Sequence, residues 1–422
     1  MLTSIPRHVL RGALGVALVA RPDIVAAQTR VVDSLVTRAL AANPQLQSLE
    51  SQATATRLRI TAAGAWADPM LMAGIQNLPL SGDATMTGPE PMTMKMFGVS
   101  QTLPYPGKTS LRARVARSEV DAAEARVAGA RRELRRDVLD AYYDLVAARM
   151  LLSIVDRQQE VANGVIPATQ ARYISGSVPQ SDVLKARNEA AALAEERNTL
   201  IQEERTALAR LNAALDQSSV TPLPTDSVIA AGTTLASLDS LQALALVANP
   251  RLVERRAMIA ARVARADLAR RERLPDFDVS LQYGQRDRLP DMITALVSVP
   301  LPIQRRKKQD VEARAAQLDV VSAEADLRAE GNAVLSQVAR LHATIERHAA
   351  NLALLDRVML PQARATFASA STVFQSGRGE LLGVLDAMRA LFAAETMRVR
   401  TLAEYLKSLA ELEALVGQEV AP

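Results

Sequence analysis

Hydrophobic positions change period along each half of this chain. In 276–285, Phe277, Val279, Leu281 and Tyr283 alternate with Asp276, Asp278, Ser280 and Gln282, the period of two that gives a sheet one apolar face. Ile293, Ala295, Val297, Val299 and Leu301 repeat the alternation. Two weaker strands are predicted earlier, one on Leu71, Ala73 and Ile75 and one on Phe97, Val99 and Leu103. Each is expected to run about nine to eleven residues, enough to cross a bilayer as a tilted strand. After each strand pair the pattern lengthens to a very long helix, about 108 to 165 and about 304 to 375. Leu134, Val138, Ala141, Leu145, Ala148, Leu152 and Val155 recur by fours and threes, as do Val338, Leu341, Ile345, His348, Leu352, Leu355 and Met359, which is a coiled-coil seam. A helix of almost sixty residues is about 85 Å long, far beyond a compact domain, and a shorter helix is expected to return antiparallel to it. Pro361 is expected to kink the second long helix. Around 173–182 and 374–381, Gly and Pro end one helix and Ser-x-Asp can cap the next, so these stretches read as hairpin tips.

The order of elements repeats because the sequence does. SLVTRALAANPQL (34–46) and SLQALALVANPRL (240–252) agree at eight of thirteen positions with an offset of 206. Pro69 falls on Pro275, VSQTLP (99–104) answers VSVPLP (297–302), and Tyr173 to Gly176 answers Phe374 to Gly377. Each copy reads helix, strand, strand, helix, helix, the first helices spanning roughly 31–65 and 238–272. The units are 28–217 and 235–418, joined by a linker at 218–234 rich in Pro, Ser and Thr. Ahead of them, Arg7 and Arg11 precede GALGVALVA (12–20), and IVAAQ follows, so residues 1–27 read as a signal peptide cut after Ala27. No later segment approaches eighteen consecutive apolar residues, so an exported chain without a membrane-spanning helix is expected.

Composition narrows the chemistry. With 422 residues, 49% hydrophobic and 23% charged, the chain can bury a core, yet aromatics are only 3% and alanine supplies much of the apolar fraction, which suits long, closely packed helices. The absence of cysteine removes thiol nucleophiles, Cys-ligated metals, disulfides and N-terminal lipidation on cysteine. His8 lies in the leader, and His342 and His348 are six apart, on different helix faces, where solvated side chains are expected. The net charge of +4 is spread over interleaved acids and bases, so no nucleic-acid face is expected. No apolar pocket signature or histidine partner accompanies the abundant serines and carboxylates, so neither an enzyme nor a cofactor is expected.

Four amphipathic strands cannot close a barrel, and an open edge in lipid leaves backbone groups unpaired, so several chains must pool their strands. Two copies give eight strands and three give twelve, and the larger ring leaves a useful aqueous lumen. Trp66, Phe97, Tyr105, Phe277 and Tyr283 lie in or beside the strands, where they serve equally as interface anchors or as packing for a small soluble sheet.

The duplicated unit, the ANP near each start (Ala42 to Pro44 and Ala248 to Pro250), the tip pattern Tyr-x-x-Gly and Val384 to Ala387 resemble the TolC family of outer-membrane efflux ducts. VSQTLPYPGK (99–108) is similar to its heavy-metal branch, the CzcC and CusC type. The resemblance implies a mainly α protein with a membrane β-barrel portion. In it, a homotrimer forms a twelve-stranded barrel in outer-membrane lipid, continued by a periplasmic α-barrel of helical hairpins. It further implies a periplasmic adaptor and an inner-membrane RND-type pump as partners, with heavy-metal cations as cargo. Adaptor contacts carry over to Tyr173, Gly176 and Val178 at the first tip and Phe374, Gly377 and Leu381 at the second. A periplasmic gate carries over to Phe374, Arg378 and Asp386, with Gly379 and Gly383 replacing the family's arginine and second aspartate. Asp386 stands equally well as an ordinary solvated helix residue.

Two further clusters stand outside that pattern. Met92, Met94 and Met96 follow Met86, with Met70 and Met72 in the partner strand. Thioethers suit Cu(I), but side chains on one strand face account for them, so no metal site is assigned and these three stand as candidates. Arg305 to Lys308 reads as the solvated start of a helix near lipid headgroups. The same fold could serve as a multidrug or secretion duct. A soluble periplasmic coiled-coil scaffold is the alternative of another class, and residence of the strands in lipid separates it from a duct.

Overall fold

The computed structural model describes residues 22–78, 93–225, 235–286, 289–376 and 378–418. Residues 1–21 of the expected leader and 226–234 of the expected linker, together with Met86, Met92 and Gly377, lie outside them. The first repeat comprises α1 (Pro22–Ala42), α2 (Pro44–Gly64), β1 (Met70–Gln76), β2 (Met94–Leu103), α3 (Lys108–Ile174) and α4 (Gln180–Ala214). The second comprises α5 (Leu238–Ala248), α6 (Pro250–Arg271), β3 (Phe277–Arg286), β4 (Met292–Ser298), α7 (Gln309–Leu354), a π-helical segment (Leu355–Met359), α8 (Leu360–Gln375) and α9 (Leu381–Val416).

The first helix of each repeat is not continuous as expected but breaks at Asn43 and Asn249. Pro44 and Pro250 supply no N–H and push the preceding residue out of helical conformation, and the asparagine then caps the helix that follows. Asn43 Oδ1 accepts from the N–H groups of Gln45 and Leu46 at 3.1 Å, and Asn249 Oδ1 accepts from Leu252 at 3.1 Å. The other end of each amide closes the repeat on itself. Asn43 Nδ2 donates to the Ala214 carbonyl at the end of α4 (3.3 Å), and Asn249 Nδ2 donates to Leu415 near the end of α9 (2.7 Å). Beyond these helix ends the chain turns through left-handed residues, Asp216 and Gly417. A Cβ on Gly417 would stand 2.3 Å from the Ala248 carbonyl oxygen, so the second knot closes only around glycine.

The four strands form one antiparallel sheet in the order β1-β2-β3-β4, leaving β1 and β4 as its edges. The inner strands have ten residues, but the edge strands have seven, shorter than expected. β1 gives way to Asn77 at φ 53°, and β4 stops before Pro300 and Pro302, which have no N–H for a ladder. Val299 and Leu301 therefore fall outside the strand they were expected to extend.

α3 runs 67 residues, about 100 Å, past its expected end and through Pro167. Its seam is as predicted: Val138, Ala141, Leu145, Ala148 and Val155 are buried, with Leu134 and Leu152 partly so. In the second repeat the helix begins at Gln309, and Arg305 to Lys308 form exposed turns ahead of it rather than its first residues. There the seam holds through Leu355 and then slips. Met359 is 37% exposed whereas Leu360 is 4% exposed. The π segment inserts one residue into the turn, marked by the Leu360 N–H donating to Leu355, and moves the buried stripe on by one. It lies directly before Pro361, whose ring in a regular helix would meet the carbonyl of Arg357, so the expected irregularity takes this form.

One core cluster surrounds the asparagine knots, with Tyr142, Leu145, Leu211, Leu241, Leu341, Ile345 and Leu412 among its buried members. His348 belongs to the α7 seam and is buried rather than solvated; burial, then the neighbouring Arg347 charge, hold its imidazole below the usual range. Lys407 of α9 lies between Asp144 and Glu404, each at 2.9 Å, and although burial opposes its charge these partners raise its pKa. Asn249→Ala should lower stability by about 1–3 kcal/mol, since it removes a cap and a buried tie together, and Asn43→Ala, half-buried, should cost less. Thermal inactivation of the two purified variants measures the order, and equal midpoints would contradict it.

Candidate functional site

The sheet carries opposite chemistry on its two faces. Strand pairing puts Leu71, Val99, Leu281 and Ala295 in one cross-strand row and Ala73, Phe97, Tyr283 and Ile293 in the next. This face lies open: Leu71 is 82% and Ile293 74% exposed. The other face carries Ser100 beside Ser280, Gln282 beside Thr294, and Thr102 beside Asp278 and Ser298. Met94 and Met96 share that polar face with Met70, Met72 and Met292. An exposed apolar face of this extent backed by a polar one is the requirement of a strand between lipid and water. The aromatics sort accordingly. Phe97 and Tyr283 are register partners on the apolar face, Trp66 is 62% exposed just before β1, and Tyr105 stacks on Phe277 at the helical end of the sheet, with centroids 6.3 Å apart.

The sheet is pinned to the helices at that end by Lys108. Buried at the start of α3, it donates from Nζ to Asp276 Oδ1 at 2.7 Å, and the same oxygen accepts the Tyr105 N–H at 2.8 Å. Burial opposes ionisation of this carboxyl, but the lysine and the backbone donor win and hold it below the usual range. Gly107, at φ 93°, leaves room for the Arg271 guanidinium, which lies 5.7 Å from the Tyr105 ring centroid.

At the far end the two helical hairpins meet tip to tip. A second core cluster there joins Ala162 and Val165 of α3 and Ala186 and Leu193 of α4 to Phe374, Leu385 and Met388. Tyr173 and Gly176 are exposed and Val178 half-buried, so the first tip presents a surface. At the second, Phe374 and Leu381 are buried and Gly377 lies outside the described residues. Arg378 and Asp386 are exposed. Gly379 packs against the backbone of the preceding turn, where a Cβ would stand 2.9 Å from the Phe374 nitrogen, which explains why no arginine can stand there without moving the chain.

Sequence reasoning missed the residues that bind the tips to one another. Arg172 donates to the Gly379 carbonyl at 3.0 Å, with its guanidinium 5.3 Å from the Phe374 centroid. Arg389 grips Glu189 of the other hairpin with Nε at 3.0 and 3.1 Å and a terminal nitrogen at 2.5 Å, and reaches Asp386 at 3.4 Å. The hydrogen bond to Glu189 chiefly raises the Arg389 pKa. These are ordinary arginines on helix faces, and only tertiary packing shows their partners.

Among the described residues no helix is long and apolar enough to cross a membrane, and no group of His, Asp and Glu is placed to hold a metal ion. A groove of about 660 Å³ beside the π segment is lined by Arg149, Arg157, Arg364, Arg398, Asp356 and Glu395, whose charges pair with one another or with Glu204.

A sheet built for lipid, continued by helices of this length, defines a passive outer-membrane channel reaching into the periplasm, not an enzyme. The chain belongs to the outer membrane efflux protein family, whose model matches residues 35–217 and 241–418. It is 26% identical over 324 residues, 74% of each chain, to the cobalt-zinc-cadmium resistance protein CzcC of Cupriavidus metallidurans. Its fold is similar to those of the outer-membrane channel OprN (TM-score 0.80, 18% identity, 93% of this chain and 91% of that one) and of CusC (0.78, 17%, 92% of each). VceC of Vibrio cholerae is similar at TM-score 0.78 and 18% identity, over 93% of this chain and 98% of that one.

Because Arg389 is half in water, its tie to Glu189 should be worth about 1–2 kcal/mol. Arg389→Ala and Glu189→Ala should each speed hydrogen exchange at the start of α9, and the double variant should add nothing further. Additive effects would show that the pair does not couple the hairpins.

Proposed function

We propose that three copies of this chain assemble into the exit duct of a tripartite efflux system for heavy-metal cations, served by a periplasmic adaptor and an inner-membrane pump. The observation that carries it is the four-stranded sheet with two free edges and a bare apolar face. Only pooling with other copies pairs β1 and β4 in lipid, and twelve strands leave an aqueous passage. The units 28–217 and 235–418 act as equivalent halves in each protomer, and the linker 218–234 joins them. In this reading α3, α4, α7, α8 and α9 carry the passage across the periplasm.

Gating belongs at the tips. The first-tip residues Tyr173 and Gly176, exposed, and Val178, half-buried, offer the adaptor its contact, while Phe374 and Leu381, buried, hold the shape of the second tip. Asp386 and Arg378 face solvent beside Phe374, and a ring of three Asp386 carboxylates would attract cations at the constriction. Docking then has to separate the Arg389–Glu189 and Arg172–Gly379 ties, the charge-assisted bonds that hold the closed tip beside its compact apolar core.

The metal cargo rests on the likeness to CzcC and on the stretch 99–108. Disruption of the gene in its native host should raise sensitivity to metal cations and leave sensitivity to dyes and drugs unchanged. Hypersensitivity to drugs with normal metal resistance would favour a multidrug duct of the same fold.

A further inference from the structure

Five methionines on the water-facing side of a transmembrane sheet need a reason, because that face otherwise carries serine, threonine, glutamine, aspartate, arginine and glycine, with Leu296 its one other large apolar side chain. Three of them meet at one place. The row Gly74, Met96, Gly284, Met292 alternates glycine with methionine across all four strands. Met94 lies two residues from Met96 on the same face, and its sulfur occupies the space above Gly284, 2.6 Å from where a Cβ there would stand. The gap left by Gly284 thus holds one thioether, and Met96 and Met292 are the register partners of Gly284 on the neighbouring strands, whose backbones run about 4.8 Å to either side. The cluster sits at the end of the sheet remote from the helices, which is the outer mouth in the channel orientation.

We propose that Met94, Met96 and Met292 form a thioether site for a soft monovalent cation of the Cu(I) class at the outer mouth of the duct. Neutral sulfur ligands select Cu(I) through softness and bring no charge to compensate a hard divalent ion. The charge in the adjoining row, Arg286 beside Met94, is positive and is held on the Pro290 carbonyl at 2.7 and 2.9 Å, which disfavours divalent ions further. The ligands are neutral, with Met94 and Met96 half-buried and Met292 exposed, so a cation held there stays within reach of the lumen. The proposal rests on the duct reading above and adds to it a site for soft monovalent cations at the mouth.

The test uses the purified full-length trimer in detergent, with Ag(I) as a redox-inert probe and Cu(I) presented against a chromophoric competitor. Wild type should bind both ions, with sulfur-only ligation in the X-ray absorption spectrum, and should not bind Zn(II). The variant Met94→Leu/Met96→Leu/Met292→Leu keeps side-chain volume and should lose the binding while keeping a heat-modifiable trimer. Gly284→Ala, which displaces only the far end of the Met94 side chain, should weaken it. Were the triple variant not to assemble, Met292→Leu and Gly284→Ala decide the question alone. Binding unchanged in the variants, or no sulfur ligation in wild type, would overturn the site and leave the duct standing. Failure of wild type to form a trimer at all would overturn the duct.

Discussion

A backbone N–H or C=O left unpaired in hydrocarbon costs several kcal/mol, and a sheet with two bare edges leaves a whole row of them. The channel reading of this chain follows from the need to pair β1 and β4. The sheet cannot satisfy them internally, because its order keeps the two seven-residue strands at opposite edges. Its exposed apolar rows suit lipid, and its more polar rows suit an enclosed water column. In the proposed duct the protomer is a segment of a wall.

The helical part has to deliver that segment at the correct height and angle. Lys108 and Asp276 do so by binding the β2-to-α3 junction of one repeat to the α6-to-β3 junction of the other, so both halves enter the membrane in register. At mid-length each repeat closes on its own last helix through an asparagine that caps and ties at once. Between these fixed levels and the tips the long helices hold together by their seam, in which small residues such as Ala141, Ala148 and Ala162 allow close approach. The two hairpin tips meet through one compact core and a handful of arginine bonds, which makes that end the part most readily moved.

The periodic features were legible before the structure. Alternation over Phe277 to Tyr283 and the seam from Val138 to Val155 depend on local spacing, and duplication allowed each repeat to check the other. What escaped the sequence depends on partners distant along the chain or on small changes of register. The ANP motif was visible, but its asparagine's hold on Ala214 or Leu415 was not, since those contacts span 171 and 166 residues, most of a repeat. Pro361 signalled an irregularity, yet only the backbone shows it as a π segment that exchanges Met359 for Leu360 in the core. The methionine run was noticed as a run, whereas its meaning lies in Gly284 and Met292, nearly two hundred residues away.

The pairing of β4 of one protomer with β1 of the next is the claim on which the channel depends. The chain contains no cysteine, so introduced pairs report cleanly. Ala73→Cys, combined in turn with Ile293→Cys, Ala295→Cys and Val297→Cys and oxidised in outer-membrane preparations, measures that contact directly. Covalently closed trimers in at least one register, reversible by reductant, are expected. Monomers throughout, with the protein recovered intact from the outer membrane, would contradict a barrel built from pooled strands.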